Sequence, residues 1–350
     1  KKIIHQAKEF KVKNIIINDS IEFKKAQKKY KRLKIKFFNN FDSISKILGK
    51  KKIHYSMISV SGLDGLKPSI ILCKYSNNLA IVNKESIICG WNLIKNALKK
   101  NKCNFIPIDS EHYSIHSLLK GHQLNEIEKI YITASGGPFL KRPISSFNKI
   151  KPADAYKHPT WNMGKKISVD SSNLMNKILE LVEAHRLFSF NPNKYEIIVH
   201  PQSLIHAIVI FKNGQIKFLY HDTDMKIPIS NAIYNNKINI DKIIKNNNNF
   251  LGKLKNIEFE KVDKKRFPIV TLNKDKYLSK SAPIILNASN EILVESFVKN
   301  KIPYNGIYET LKRVFKDRDF NKYAVKKVKN VKDIYKVDQW ARKKTIGLIR

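Results

Sequence analysis

The sequence predicts an α/β chain: a parallel-sheet domain first, a central α+β region next, and a small helical domain at the C-terminus. Three observations lead there. Between Lys1 and Ile108, short apolar runs ("NIIIN", "YSMISV", "NLAIV", "NFIPI") alternate with helix-compatible polar stretches at 21–32 and 91–100, the βαβ rhythm of a parallel sheet covered by helices. From 109 to 235 the strand candidates "KIYITA", "YEIIVH", "HAIVIF" and "QIKFLY" surround one strongly periodic helix. From 275 to 350 the pattern is helical throughout ("NEILVESFVKN", "YETLKRVF", "VDQWARKKTIGLI"). The Asn- and Lys-rich stretch 236–274 reads as a connecting segment, and no internal repeat is present. Boundaries at 1–108, 109–235, 236–274 and 275–350 follow.

Composition bounds the function. At 350 residues the chain exceeds one typical core, and its hydrophobic fraction of 42% supports packed interiors. No run reaches the roughly 18 to 20 apolar residues of a membrane span, and "KKIIHQAKEF" carries charges where a signal peptide is apolar. A cytoplasmic, membrane-independent protein is expected. Cys73, Cys89 and Cys103 are too scattered for a disulfide framework or a paired zinc motif, and read as buried thiols. The net charge of +38 invites a nucleic-acid reading, but the excess is mostly lysine spread from end to end with abundant Asn and Ile. A nucleic-acid footprint concentrates Arg and aromatics in a stripe, so an AT-rich coding bias explains the charge better, and no specific nucleic-acid partner is expected. The field still attracts anionic small molecules.

Within the first domain, "NKES" (83–86) ends a strand at the edge where open α/β sheets bind ligands, although Lys84 reads equally as a surface lysine. "PIDSEH" (107–112) ends the next strand with two acids. On an extended backbone Asp109 and Glu111 point the same way while Ser110 faces away, an unfavourable pair unless a positive charge sits between them. "TASGGPF" (133–139) joins a strand to a loop with two glycines, either a tight turn or a place where amides approach an anion. "KHPTWNMGKK" (157–166) places His158, Trp161 and Met163 in a Pro- and Gly-punctuated loop. Alone, it reads as an aromatic-anchored surface loop; a lid is the alternative.

The central helix comes next. Asp170, Ser171, Ser172 and Asn173 are all N-cap types, and Met175, Ile178, Leu179 and Val182 follow on one face. The opposite face carries Asn176, Lys177, Glu180 and Glu183, with Asn176 and Glu180 one turn apart. Spacing alone favours a solvated polar stripe. A hard divalent cation held by Asp109, Glu111 and Glu180 is the competing arrangement, since oxygen ligands from two elements suit Mg²⁺ or Mn²⁺. In "HPQSLIH", His200 and His206 are six apart, a packing or hydrogen-bonding spacing rather than a metal one.

Taken in order, "NKES", "PIDSEH", "SGGPF", "HPTWNMGKKISVDSSNLMNK", "HPQSLIH" and "LNASNE" resemble the 1-deoxy-D-xylulose 5-phosphate reductoisomerase family across essentially the whole chain. The resemblance implies a Rossmann-like NADPH-binding domain, a catalytic domain and a helical domain in a homodimer. It implies conversion of 1-deoxy-D-xylulose 5-phosphate to 2-C-methyl-D-erythritol 4-phosphate, for isoprenoid precursors, with NADPH and Mg²⁺ or Mn²⁺. By it, Asp109, Glu111 and Glu180 hold the metal, and Lys84, Asp109, Glu111, His158 and Glu180 form the catalytic group. Lys84, Ser110, Glu111, Ser135, His158, Ser171, Asn176, Lys177 and Glu180 contact the sugar phosphate. Ser135, Ser171, Asn176 and Lys177 hold its phosphate with neutral donors, a helix N-terminus and one cation. His158, Trp161 and Met163 belong to the lid, and Asn83, Glu85 and Gly164 touch the nicotinamide cofactor. The implied mechanism is Lewis-acid polarisation, skeletal rearrangement by retro-aldol cleavage and re-addition, then hydride transfer.

Two departures stand out. The family opens with a strand and a Gly-rich turn for the cofactor pyrophosphate; here about the first 40 residues of that pattern are missing, and a chain lacking its first strands is expected. Ile178 replaces the family's usual glycine in "NKGLE" and is expected to crowd the substrate pocket. Two other readings compete: a sugar-phosphate aldolase or isomerase without nicotinamide, and a basic nucleic-acid-binding protein.

Overall fold

The computed structural model describes residues 2–244, 252, 254, 257–325 and 328–349. The first region is built from parallel pairs. Helix α1 (Lys2–Glu9) precedes β1 (Asn14–Ile17), which pairs in parallel with β2 (Lys36–Asn39) through α2 (Ser20–Lys29). Asp19 caps α2 by accepting from the Ile21 and Glu22 amides, satisfying two otherwise orphaned donors. Ile4, Ala7 and Ile15 form a small core of their own under this pair.

After α3 (Ser43–Leu48), a second parallel sheet runs in the order β3 (Ile53–Ile58), β4 (Ser76–Ile81), β5 (Asn104–Pro107), with α4 (Leu66–Cys73) and α5 (Lys84–Asn101) as crossovers. Strand β4 buries Leu79, Ala80 and Ile81 in succession, as expected of a central parallel strand covered on both faces. Helices α4 and α5 approach closely because residue 90 is glycine; a Cβ there would lie 2.2 Å from Leu66 Cδ1. The expected parallel architecture is present, hydrogen-bonded as a pair and a triplet.

Helix α6 (Ser110–Leu118) starts immediately after β5. It leads into the central sheet, whose strands are β6 (Ile127–Ala134), β7 (Tyr195–Val199), β8 (Ile205–Phe211), β9 (Ile216–Tyr220) and β10 (Glu260–Lys261). Their spatial order is β10-β7-β6-β8-β9, parallel only between β6 and β7. The crossover between β6 and β7 carries α7 (Pro152–Ala155), α8 (Lys165–Ser172) and α9 (Met175–Phe188); α10 (Lys226–Tyr234) follows β9. Nearly every residue of α9 from Met175 to Ala184 is buried, because it packs between α5, the central sheet and the C-terminal helices. Those are α11 (Asp275–Leu278), α12 (Ala282–Val298), α13 (Gly306–Phe315), α14 (Phe320–Ala324) and α15 (Val331–Ile349). In α13, Ile307, Leu311, Val314 and Phe315 turn inward, joining one apolar core that runs from α5 through α9 to α15. No helix among the described residues is long and apolar enough to cross a membrane.

The structure corrects the element reading at two places. "NKES" does not end a strand: Asn83 is the N-cap residue and Lys84 the first residue of α5. Asp170, Ser171 and Ser172 close α8 rather than capping α9, whose N-cap residue is Leu174 in a left-handed conformation (φ 64°). Only Asn173 acts as foreseen, its Oδ1 accepting from the Met175 amide at 2.9 Å. Part of the connecting segment, at 245–251, 253 and 255–256, lies outside the described residues.

Candidate active site

The acids of "PIDSEH" converge by a different route from strand alternation. Asp109 is the N-cap residue of α6, its side chain accepting from the Glu111 amide, so both carboxylates stand at the first turn of a helix. Ser110 does not face away: its Oγ donates to Glu111 Oε2 at 2.7 Å. Opposite them, α9 presents Asn176, Lys177 and Glu180. The solvated-stripe reading fails here, since Lys177, Glu180 and Glu183 are 7%, 1% and 1% exposed. One carboxylate oxygen each from Asp109, Glu111 and Glu180 lies within 4.8 Å of the others.

Two ammonium groups interleave with these acids. Lys84 Nζ sits 3.0 Å from Asp109 and 3.3 Å from Glu180, and donates to Asn176 Oδ1 at 2.8 Å. Lys177 Nζ lies 2.5 Å from Glu111 and 2.7 Å from Glu180. Burial disfavours both ammoniums, but the surrounding carboxylates outweigh it and hold both pKa values above the usual lysine range. Burial likewise works against the Asp109 carboxylate; Lys84 and His112 overcome it, so Asp109 stays ionised well below its ordinary value. Glu111 moves the other way, to about 8, because burial and the Glu180 charge exceed the help from Lys177. Asp109, Glu111 and Glu180 nevertheless present carboxylate oxygens within 4.8 Å of one another. A hard divalent cation fits this all-oxygen donor set.

Behind the acids stands the buried His112 of α6, to which the sequence pattern assigns no role. Its Nδ1 lies 3.2 Å from Asp109 Oδ1 and its Nε2 2.9 Å from the Glu180 carbonyl oxygen, so one ring ties the α6 cap to α9. Burial opposes its protonation; Glu183 and Asp109 outweigh that and raise it to about 9. Its imidazolium therefore donates through both nitrogens.

The other wall of the cavity is made by the glycine loop. Gly136 and Gly137 both have positive φ (81° and 64°), and a Cβ on Gly137 would lie 2.9 Å from Ser171 O and Ser172 Cα. This close approach brings Ser135 and Ser171 to one cavity. The Gly137 amide donates to Ser135 Oγ at 3.1 Å, which makes the loop a tight turn. Ser135 Oγ also lies 2.9 Å from His158 Nε2. His158 Nδ1 accepts from the Trp161 amide at 2.9 Å, so Nε2 carries the ring proton and donates to Ser135. Burial, then the Lys177 charge, lowers His158 to about 4, keeping it neutral.

These groups line one cavity of about 250 Å³ that holds Lys84, Asp109, Ser110, Glu111, Ser135, His158, Trp161, Met163, Ser171, Asn176, Lys177 and Glu180. Asn83, Glu85 and Gly164 adjoin the cavity-lining residues Lys84 and Met163 in the sequence but do not themselves line the cavity. Asn83 Oδ1 is buried with no hydrogen-bond partner among the described residues, Glu85 lies 3.6 Å from Lys166, and the space a Cβ of Gly164 would enter is open. The unpartnered Asn83 acceptor suits a hydrogen bond from a further bound molecule.

Sequence comparison decides the family. Family models for 1-deoxy-D-xylulose 5-phosphate reductoisomerase match residues 1–90, and models for its C-terminal domains match 105–188 and 221–344. The 1-deoxy-D-xylulose 5-phosphate reductoisomerase of Pelagibacter ubique (strain HTCC1062) is 46% identical over 97% of this chain and 87% of its own length. The chain belongs to the 1-deoxy-D-xylulose 5-phosphate reductoisomerase family. A second reductoisomerase, from Clostridium novyi (strain NT), is 36% identical over 93% of the chain and 83% of the relative. Among solved reductoisomerases, one in complex with NADPH, fosmidomycin and magnesium matches with a TM-score of 0.90 at 27% identity, covering 99% of this chain and 88% of that one. The Zymomonas mobilis enzyme in complex with NADPH gives 0.87 at 28% identity, covering 100% and 89%.

The structure corrects one expectation about this reductoisomerase chain and adds three cavity residues. Ile178 does not crowd the cavity; it is fully buried in the main apolar core on the far side of α9. Ser203, His206 and Met225 do line the cavity, and nothing in the sequence reading had assigned them to it. Ser203 and His206 belong to "HPQSLIH", whose spacing reads as packing or hydrogen bonding, and Met225 carries no signal.

Proposed function

We propose that this chain converts 1-deoxy-D-xylulose 5-phosphate to 2-C-methyl-D-erythritol 4-phosphate, using NADPH and Mg²⁺ or Mn²⁺. The observation that carries the reading is the convergence of Asp109, Glu111 and Glu180 with Ser135, His158, Ser171, Asn176 and Lys177 in a single cavity. Asp109, Glu111 and Glu180 hold the divalent cation, and Asn83, Glu85 and Gly164 contact the nicotinamide cofactor. When bound, the cation supplies Lewis-acid polarisation of the substrate's carbonyl and hydroxyl oxygens, and NADPH supplies the hydride.

The chain's own groups do the rest. Ser135, Ser171, Asn176 and Lys177 bind the substrate phosphate, with the Lys177 ammonium as the cation and the hydroxyls and amide as neutral donors. The helix N-terminus contributing there is that of α9, not one at Ser171. Lys84, kept charged by its acidic neighbours, orients the substrate oxygens next to Asp109 and Glu180. His158, neutral and hydrogen-bonded to Ser135, positions that hydroxyl. Trp161 and Met163 cover the bound substrate and exclude water from reactive intermediates. The protein acts as a cytoplasmic homodimer, in line with its family.

The test is NADPH consumption. The purified chain should oxidise NADPH only when both 1-deoxy-D-xylulose 5-phosphate and Mg²⁺ or Mn²⁺ are present. Turnover of the substrate without NADPH oxidation would favour the aldolase or isomerase reading instead.

A further inference from the structure

The wall against which loop 158–164 rests contains a ring that no step of the proposed reaction uses. His206 on β8 meets the Trp161 indole edge to face, with centroids 6.0 Å apart at 70°. On His206 lies the ring of His221, stacked at 3.9 Å and 17°. His206 lines the cavity and His221 does not. Both are nearly inaccessible, at 2% and 7% exposure.

The hydrogen bonds fix the state of each ring. His221 Nδ1 lies 2.8 Å from the Asp222 carbonyl oxygen and donates to it, so Nε2 of the neutral ring is bare. That Nε2 is buried without a hydrogen-bond partner among the described residues. An unpartnered buried nitrogen is disfavoured, and an aliphatic side chain of similar volume would avoid it. What the aliphatic chain lacks is the flat aromatic face that His206 stacks on. His206 Nε2, 3.3 Å from the His221 carbonyl oxygen, is tied to the same residue from a second direction. The neighbouring chain also grips the loop: Thr223 Oγ1 donates to the Thr160 carbonyl at 3.5 Å, and Thr160 Oγ1 to Ser203 Oγ at 3.3 Å.

We propose that His221 is a positioning residue for loop 158–164: stacked beneath His206, it sets the plane against which Trp161 closes over bound sugar phosphate. The inference rests on the reductoisomerase reading of the cavity. Its link to the reaction runs through His158, whose Nδ1 accepts from the amides of Thr160 and Trp161 at 3.2 and 2.9 Å while Nε2 meets Ser135. Where Trp161 sits therefore decides where His158 and Ser135 sit. Loss of the stack weakens the hold on substrate and leaves the carboxylate centre untouched.

Three variants test this: His221→Phe keeps the aromatic face, His221→Leu keeps volume without it, and His221→Ala removes both. The Leu and Ala variants should raise KM for 1-deoxy-D-xylulose 5-phosphate about fivefold with kcat within about twofold, whereas Phe stays near the unaltered chain. In the ligand-free protein, acrylamide quenching of Trp161 emission, isolated by difference from a Trp161→Phe control, should increase for Leu and Ala and not for Phe. A Leu variant that behaves as the unaltered chain, or a Phe variant as impaired as Leu, overturns the proposal, and Leu and Phe decide it even if Ala fails to fold. If the unaltered chain does not consume NADPH with this substrate, the reductoisomerase reading fails, and the quenching comparison still decides whether His221 seats the loop.

Discussion

At Glu180, one side chain meets three demands: it is 1% exposed, paired with Lys84 and Lys177, and within reach of Asp109 and Glu111. Replacing it with glutamine keeps volume and some hydrogen bonding but removes the charge. Glu180→Gln should keep its thermal transition within a few degrees and lose about 100-fold or more in metal-dependent kcat, read by NADPH oxidation. Ile178, two residues earlier and on the far side of α9, predicts the reverse. Restoring glycine there empties a filled core position and adds backbone freedom, so Ile178→Gly should cost about 3–5 kcal/mol in denaturant unfolding while KM stays unchanged. Residues of this kind were only half legible. The spacing of Asn176 and Glu180 identified a face, but whether solvent or other acids meet that face depends on how α9 packs against α5 and α6. Single-helix periodicity does not contain that information.

At the scale of elements, the glycine turn after β6 and the end of α8 act as one unit. Gly137→Ala would force a Cβ into the Ser171–Ser172 backbone from a φ of 64°. The substitution should destabilise by about 1–3 kcal/mol and raise substrate KM, because Ser135 and Ser171 are displaced together. Denaturant titration and steady-state kinetics on the same preparation check both. The strands were the most legible elements: "KIYITA", "YEIIVH", "HAIVIF" and "QIKFLY" all appear as β6 to β9. Helix starts were less so. Asp170, Ser171 and Ser172 have the chemistry of N-caps, yet tertiary packing extends α8 through them and starts α9 from a left-handed Leu174. The extended-strand argument for Asp109 and Glu111 failed similarly, since β5 stops at Pro107 and the acids belong to α6.

Across the whole molecule, the +38 charge and one neutral histidine set how activity and stability respond to conditions. Attraction of a sugar phosphate by a cationic surface is screened by salt, so kcat/KM should fall as ionic strength rises, with kcat nearly constant. His158 is held at about 4 against an ordinary 6.5, so the unfolded chain takes up its proton first as pH falls. Its contribution to stability is complete above about pH 6.5 and is lost between there and about pH 4. The His158→Gln variant should show a shallower loss of stability across that window in thermal unfolding.

The account stands on Asp109, Glu111 and Glu180 forming one cation site. Calorimetric titration of the chain with Mn²⁺, beside Glu180→Gln shown to be folded by circular dichroism, measures this most directly. One ion per chain, with affinity reduced at least about tenfold in the variant, is the predicted result. Equal Mn²⁺ affinity in both proteins would contradict it.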